Sequence, residues 1–164
     1  MPEYIKKRVL ILGVGNILFG DDGFGPAAVD YLLQNYKIPD DVYAMDVGIG
    51  AGDVLLTVNL SQEKPKKIIV FDAVDVKRKA GEVFELPVED LPANKVTDFS
   101  LHMFPATNLL KELRDYKGVD IAILACQAER IPDVVKPGLS DSVKQALPKA
   151  AEMALKLAEK NSVQ

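Results

Sequence analysis

The 164-residue chain predicts an α/β protein, a three-layer α/β/α sandwich with a mostly parallel central sheet of about five strands. Three observations carry that expectation. Short apolar runs rich in Val and Ile alternate with segments whose apolar residues recur at helical spacing, the pattern of strands joined by crossover helices. Glycine-rich turns follow the first two runs, where a strand would hand over to a helix. The length and a 48% hydrophobic content suit one compact unit, expected over residues 1–164, and no repeat, low-complexity stretch or linker divides it.

The elements follow in order. Residues 8–12 (RVLIL) form the first buried strand, and a helix is expected over 26–36. Pro26 suits the first helical turn, where a missing N–H removes no intrahelical bond. Val29, Leu32, Leu33 and Tyr36 fall at i, i+3, i+4 and i+7, so all four are expected on the docking stripe. Residues 42–46 (VYAMD) make the second strand, and after GIGAG a helix begins near Asp53, a favourable N-cap. The third strand, 67–71 (KIIVF), ends at Asp72. Residues 83–86 form a short edge strand, because Pro87 and Pro92 prevent its extension. A helix over 107–116 carries Leu109, Leu110 and Leu113 on one face, and Pro105 restricts any earlier start to its first turn. Residues 119–125 (VDIAILA) are the last central strand. The final helix runs over 141–160, capped by Ser140 and bent or restarted at Pro148.

Scarcities narrow the chemistry. With one histidine, one cysteine and no tryptophan, the chain holds no disulfide, no CxxC site and no site built from two of its own histidines. A net charge of -4 disfavours a nucleic-acid surface, and the lysine-rich stretches at 64–67 and 77–79 are short and flanked by acids. No apolar run approaches the ~20 residues of a membrane span, and the opening MPEYIKKRVL has no signal-peptide apolar region, so a cytoplasmic protein is expected.

What remains is carboxylate chemistry aided by one imidazole. Gly13-Val14-Gly15-Asn16 invites a dinucleotide reading, but Leu18 replaces the third glycine of GxGxxG, and acids stand where a pyrophosphate needs neutral donors. The same glycines equally serve a tight turn with close backbone packing. Asp21 and Asp22 lie in GDDGFGP between the first strand and helix, where one acid could cap the helix. Two adjacent carboxylates repel, and a cation would relieve that. Asp72 directly follows a strand and so stands on the carboxyl rim of the sheet, where α/β folds bind ligands. Asp75 lies further into its loop, with more freedom to be solvated. His102 precedes the helix before the last central strand, a placement able to reach the same rim. Asp22, Asp72 and His102 would together make a two-carboxylate, one-histidine set that holds a divalent metal with positions left open. Cys126 is more simply a small buried residue at a strand end than a nucleophile, since His102 would have to be its base. A serine triad meets the same limit, and no GxSxG turn is present.

Taken in order, GVGNILFGDDGFGP, the D-x-G-x-G-x-G loop over 46–52, IIVFDAVD, SLHMFPATNLL and ILACQAERI with GLSDSV resemble the nickel-iron hydrogenase maturation endopeptidases. The likeness covers nearly the whole chain. The wording SLHMFPATNLL and ACQAER is most similar to the subgroup that serves deazaflavin-reducing hydrogenases of methanogens. The resemblance implies the same three-layer fold and an endopeptidase that removes a short carboxyl-terminal extension from the nickel-loaded hydrogenase large-subunit precursor. It also implies Asp22, Asp72 and His102 as metal-contacting and catalytic residues, with nickel delivered by the precursor and absent from the resting enzyme. Asp21 would position the loop, and Gly48, Gly50 and Gly52 would give the precursor's tail close backbone access. Family members often carry glutamate where this chain has Asp22, and G-x-Q-P or G-x-E-P where it has Ala125-Cys126-Gln127-Ala128. A monomer is expected when the protein is free, with no nucleic-acid or membrane partner. Two other readings stay open from sequence: a magnesium-dependent phosphoryl-transfer or receiver-like protein using Asp21, Asp22 and Asp72, and a nickel escort or sensor that binds the precursor without cutting it.

Overall fold

The computed structural model describes residues 2–91 and 103–159, the side chains of 103–105 excepted. Nine principal elements follow one another among these residues: β1 (Val9–Val14), α1 (Phe24–Asn35), β2 (Val42–Gly48), α2 (Ala51–Leu60), β3 (Lys67–Val74), β4 (Val83–Leu86), α3 (Met103–Tyr116), β5 (Asp120–Gln127) and α4 (Asp141–Glu159). The strands form one sheet in the order β2-β1-β3-β5-β4, parallel except for the edge strand β4, which pairs antiparallel with β5. The α/β class and the strand count are as the sequence predicts.

Strand alternation divides the core into two layers. Val9, Ile11, Ile69, Phe71 and Leu124 face α1 and α4, with Phe24 meeting Phe71 edge-on at a centroid distance of 6.0 Å. Leu10, Leu12, Val14, Ile68, Val70 and Ile123 face α2 and α3. Each fully buried side chain of this size contributes ~1.5–3 kcal/mol, so burial on both faces makes the central strands the rigid part of the molecule.

Chain order reverses between β1 and β3, the switch point at which open α/β sheets bind ligands beyond the strands' carboxyl ends. Close approach of α1 to this point depends on glycine. A Cβ at Gly25 would collide with the carbonyl oxygens of Val14 and Phe71, and one at Gly13 with the carbonyl of Gly25. The first turn of α1 therefore sits directly on the ends of β1 and β3.

Several boundaries differ from expectation. β3 continues to Val74, so Asp72 lies inside the strand, in register with Ala125. α1 begins at Phe24 and ends at Asn35, which leaves Tyr36 beyond the helix and Leu33 half exposed; its buried stripe is Phe24, Ala28, Val29 and Leu32. α2 starts at Ala51 with Gly50 as its N-cap, so Asp53 is in the first turn and caps nothing with its side chain. α3 starts at Met103, earlier than residue 107, consistent with Pro105 in its first turn. α4 runs unbroken through Pro148. Its alanine stripe, Ala146, Ala150, Ala151, Ala154 and Ala158, is buried, and that close docking outweighs the hydrogen bond the proline removes. No helix among the described residues is long and apolar enough to cross a membrane.

Candidate active site

The β1–α1 connection is held in shape by side-chain to backbone bonds. Gly15, at φ 141°, turns the chain off β1 in a conformation that a side chain would resist, and the position its Cβ would occupy is taken by the backbone of Asp22. The Asn16 N–H donates to Asp22 Oδ2 (2.7 Å), and the Asn16 side chain accepts from the Leu18 N–H (2.9 Å). A 3-10 turn, Gly20–Gly23, then presents two adjacent, fully buried aspartates.

These two aspartates do different work. Asp21 accepts the N–H groups of Glu129 (2.8 Å), Arg130 (2.9 Å) and Ser140 (2.7 Å), and the Ser140 hydroxyl (2.8 Å). Four donors from one distant loop suit a buried carboxylate, whose desolvation must be offset by hydrogen bonds. Asp21 thus organises the β5–α4 loop and not the β1–α1 turn that carries it. Ser140, expected as the cap of α4, spends its hydroxyl on Asp21 and lies against the Ser142 hydroxyl (3.3 Å).

Asp22 rests over the end of β1 beside Gly15, and Asp72 stands on β3, one residue beyond the paired Gly13 and Phe71. Both therefore stand at the carboxyl rim of the sheet where β1 and β3 adjoin. Both are buried, Asp72 at 5% exposure. Asp72 opens onto a small cavity of about 30 Å³ lined by Val14, Ala51, Leu91, Ala106, Thr107 and Leu110, large enough for a water. His102 lies outside the described residues, and among the described residues no three His, Cys, Asp or Glu side chains gather as a metal site.

The glycine loop is shorter than its sequence implies. Gly48 ends β2 at φ 53°, its N–H donating to Asp46 Oδ1 (2.9 Å) and its carbonyl accepting the Gly15 N–H (3.0 Å). Gly50 caps α2 and Gly52 is already helical, which leaves only Ile49 and Gly50 between β2 and α2. The bond between Gly48 and Gly15 ties the β2 loop to the β1 loop where the ladder register shifts.

A residue not singled out for a role is Gln127, the last of β5. Its Oε1 accepts from the N–H groups of Val76 (2.9 Å) and Arg78 (3.1 Å), and its Nε2 donates to Asp75 Oδ1 (3.0 Å) and the Ala128 carbonyl (2.9 Å). The Gln127 side chain therefore clamps the start of the β3–β4 loop to the end of β5, and its bond to Asp75 holds that carboxyl below the usual carboxylate range. Asp75 is exposed but not free, contrary to the expectation of a loosely solvated acid. The signal was the Gln of the late motif, whose partners are some fifty positions away in sequence. Cys126 is fully buried, and burial, followed by the charge of Asp21, pushes its thiol up to about 12. A thiol so placed carries no thiolate at neutral pH, which removes the nucleophile reading.

The geometry can now be set beside known proteins. The family model described as hydrogenase maturation protease matches residues 26–157. A Methanocaldococcus jannaschii protein named among the hydrogenase maturation proteases is 41% identical over 152 residues, covering 92% of this chain and 96% of its own. The coenzyme F420 hydrogenase subunit delta of Methanothermobacter thermautotrophicus is 34% identical over 153 residues, covering 90% of this chain and 92% of its own. In structure, the hydrogenase maturating endopeptidase HybD of Escherichia coli superposes with a TM-score of 0.72 at 28% identity, covering 93% of this chain and 94% of that one. These relatives are matched over nine-tenths or more of both chains, and the protein belongs to the hydrogenase maturation protease family.

Proposed function

We propose that this protein is the endopeptidase that removes a short carboxyl-terminal extension from a nickel-loaded hydrogenase large-subunit precursor, with the precursor's nickel as its recognition element. The observation that carries the reading is a pair of buried carboxylates, Asp22 and Asp72, on the switch-point rim in a member of the family. His102 directly precedes Met103, the first residue of α3, and Leu91 and Ala106 both line the cavity onto which Asp72 opens. In sequence His102 stands four positions before Ala106, a residue of that cavity's wall. That supports a ligand set of Asp22, Asp72 and His102.

Two carboxylates and one imidazole bind free nickel weakly beside the thiolates a hydrogenase precursor offers, so they would complete a metal's coordination without extracting it. Nickel held between precursor and protease would orient the scissile segment and polarise its carbonyl or activate a water. Asp21 positions the adjoining loop, and Gly48 and Gly50 leave backbone room at the rim for an extended tail. The similarity to a coenzyme F420 hydrogenase subunit supports a deazaflavin-reducing hydrogenase as the source of the precursor.

The test is to incubate the purified protein with nickel-loaded and nickel-free precursor and weigh the products. Loss of a carboxyl-terminal fragment from the loaded form only is expected. An uncut loaded precursor that nevertheless stays bound would replace the protease reading with that of a nickel escort.

A further inference from the structure

Asp72 is a charged residue on an apolar wall. Period-two alternation along β3 puts it on the same face as Ile68 and Val70, the face that packs toward α2 and α3. On that side it opens onto the cavity of about 30 Å³. Among the described residues of the cavity wall, drawn from β1, β3, α2, α3 and Leu91, every side chain but two is aliphatic; the exceptions are Asp72 and Thr107.

Thr107 stands where an aliphatic residue would fit. It lies between Ala106 and Leu110 on α3, both buried where the helix docks on the sheet, and is itself half-buried. A helical threonine commonly spends its hydroxyl on the carbonyl four residues back, as Thr57 does with Asp53 on α2 (2.9 Å). Among the described residues, the Thr107 hydroxyl makes neither that bond nor a direct one to Asp72. A hydroxyl and a carboxylate that share a small cavity without touching are the two polar partners a bridging water requires, and about 30 Å³ is room for one. Such a bridge matters for Asp72. The terminal torsion of an aspartate is broad, so the direction of its lone pairs is set by the donors around it, and a buried carboxylate depends on those donors.

We infer that Thr107 is a positioning residue of the protease site: its hydroxyl holds one water in this cavity, and that water holds the Asp72 carboxylate in the orientation that serves cleavage. This deepens the proposed function and rests on Asp72 acting there. Two substitutions test it in opposite directions. Thr107→Val keeps the shape of the side chain and removes the hydroxyl, whereas Thr107→Ser keeps the hydroxyl and removes the methyl. With nickel-loaded precursor, Thr107→Val should lower kcat by ~10-fold or more, the scale on which the loss of a hydrogen bond behind a ligand is felt, with KM within two-fold of wild type. Thr107→Ser should keep kcat within two-fold. A role in packing alone predicts the reverse order, and unfolding midpoints show that the loss in the valine variant is not one of folding. Crystal structures of the free wild type and both variants give a readout independent of turnover: a water within hydrogen-bond distance of the residue 107 hydroxyl and an Asp72 oxygen in the wild type and the serine variant, and none in the valine variant. A wild-type protein that fails to cut overturns the protease reading, while the water is decided by the crystal structures alone. A valine variant with wild-type kcat, a serine variant that loses as much as the valine variant, or a wild-type cavity without that water would each overturn the assignment of Thr107.

Discussion

Asp21 and Ser140, 119 positions apart, are joined twice: the carboxylate accepts both the backbone N–H and the hydroxyl of the serine, at 2.7 and 2.8 Å. With Glu129 and Arg130 also donating to it, this one buried side chain closes the β5–α4 loop onto the turn that carries Asp22. Asp21→Ala should therefore cost ~3–5 kcal/mol of unfolding free energy, because several donors lose a charged acceptor together. Ser140→Ala should cost only ~1–2 kcal/mol. Equal losses in denaturant melts would mean that the loop is held by something other than the carboxylate.

Gln127 and Asp75 make a second test, this time with a pH signature. The glutamine's bond is the main cause of the depressed Asp75 pKa, followed by the Lys77 N–H at 3.4 Å. A carboxyl with a lowered folded pKa adds stability above its unfolded value of ~3.9, and that stability is lost as pH falls through the folded pKa. In Gln127→Ala, the Asp75 titration should move up toward the ordinary carboxylate range by NMR and this acid limb should shrink, with the Lys77 N–H and charge keeping the remainder. The amides of Val76 and Arg78 should also exchange faster with deuterium. Unchanged titration would show that Gln127 is not the cause.

Replacing the proposed ligands one at a time should separate chemistry from folding. His102→Ala and Asp72→Asn are expected to lower cleavage of nickel-loaded precursor by at least ~100-fold, the scale on which a lost catalytic group is felt. Circular dichroism and melting should show intact folds. Near wild-type turnover in either variant would remove that residue from the site.

Cys126 should be dispensable. Its thiol is buried and neutral, so Cys126→Ala should cut precursor at the wild-type rate, and the native protein should resist thiol-reactive reagents until it unfolds. A ten-fold fall in rate would restore the nucleophile reading.

Gly25→Ala should be among the worst small changes. The added methyl meets carbonyl oxygens of both β1 and β3, so α1 must lift from the sheet, at about 3 kcal/mol. A stability within 1 kcal/mol of wild type would show that the helix has slack there.

The sheet and its order of elements were legible because the signals are local. A run such as KIIVF has one stable use, and glycines at the first rim follow from the turn they must make. The placement of Asp22 between β1 and α1 was equally readable, whereas Asp72, expected just past its strand, lies inside β3, which runs on to Val74. Helix limits were less so: Asp53 and Ser140 have capping side chains, yet Gly50 caps α2, and the Ser140 hydroxyl is claimed by Asp21. Propensity ranks local partners and knows nothing of a carboxylate that arrives from the far end of the chain.

By itself, then, the amino-acid sequence determined the fold class and the family, both of which rest on short-range patterns and motif order. Only the tertiary structure decided how two adjacent aspartates divide their work, that Gln127 clamps the loop beyond Asp72, and that Thr107 and Asp72 share one cavity. Those assignments depend on hydrogen bonds and contacts between segments far apart in sequence, and their energies exist only once the sheet has brought the segments together.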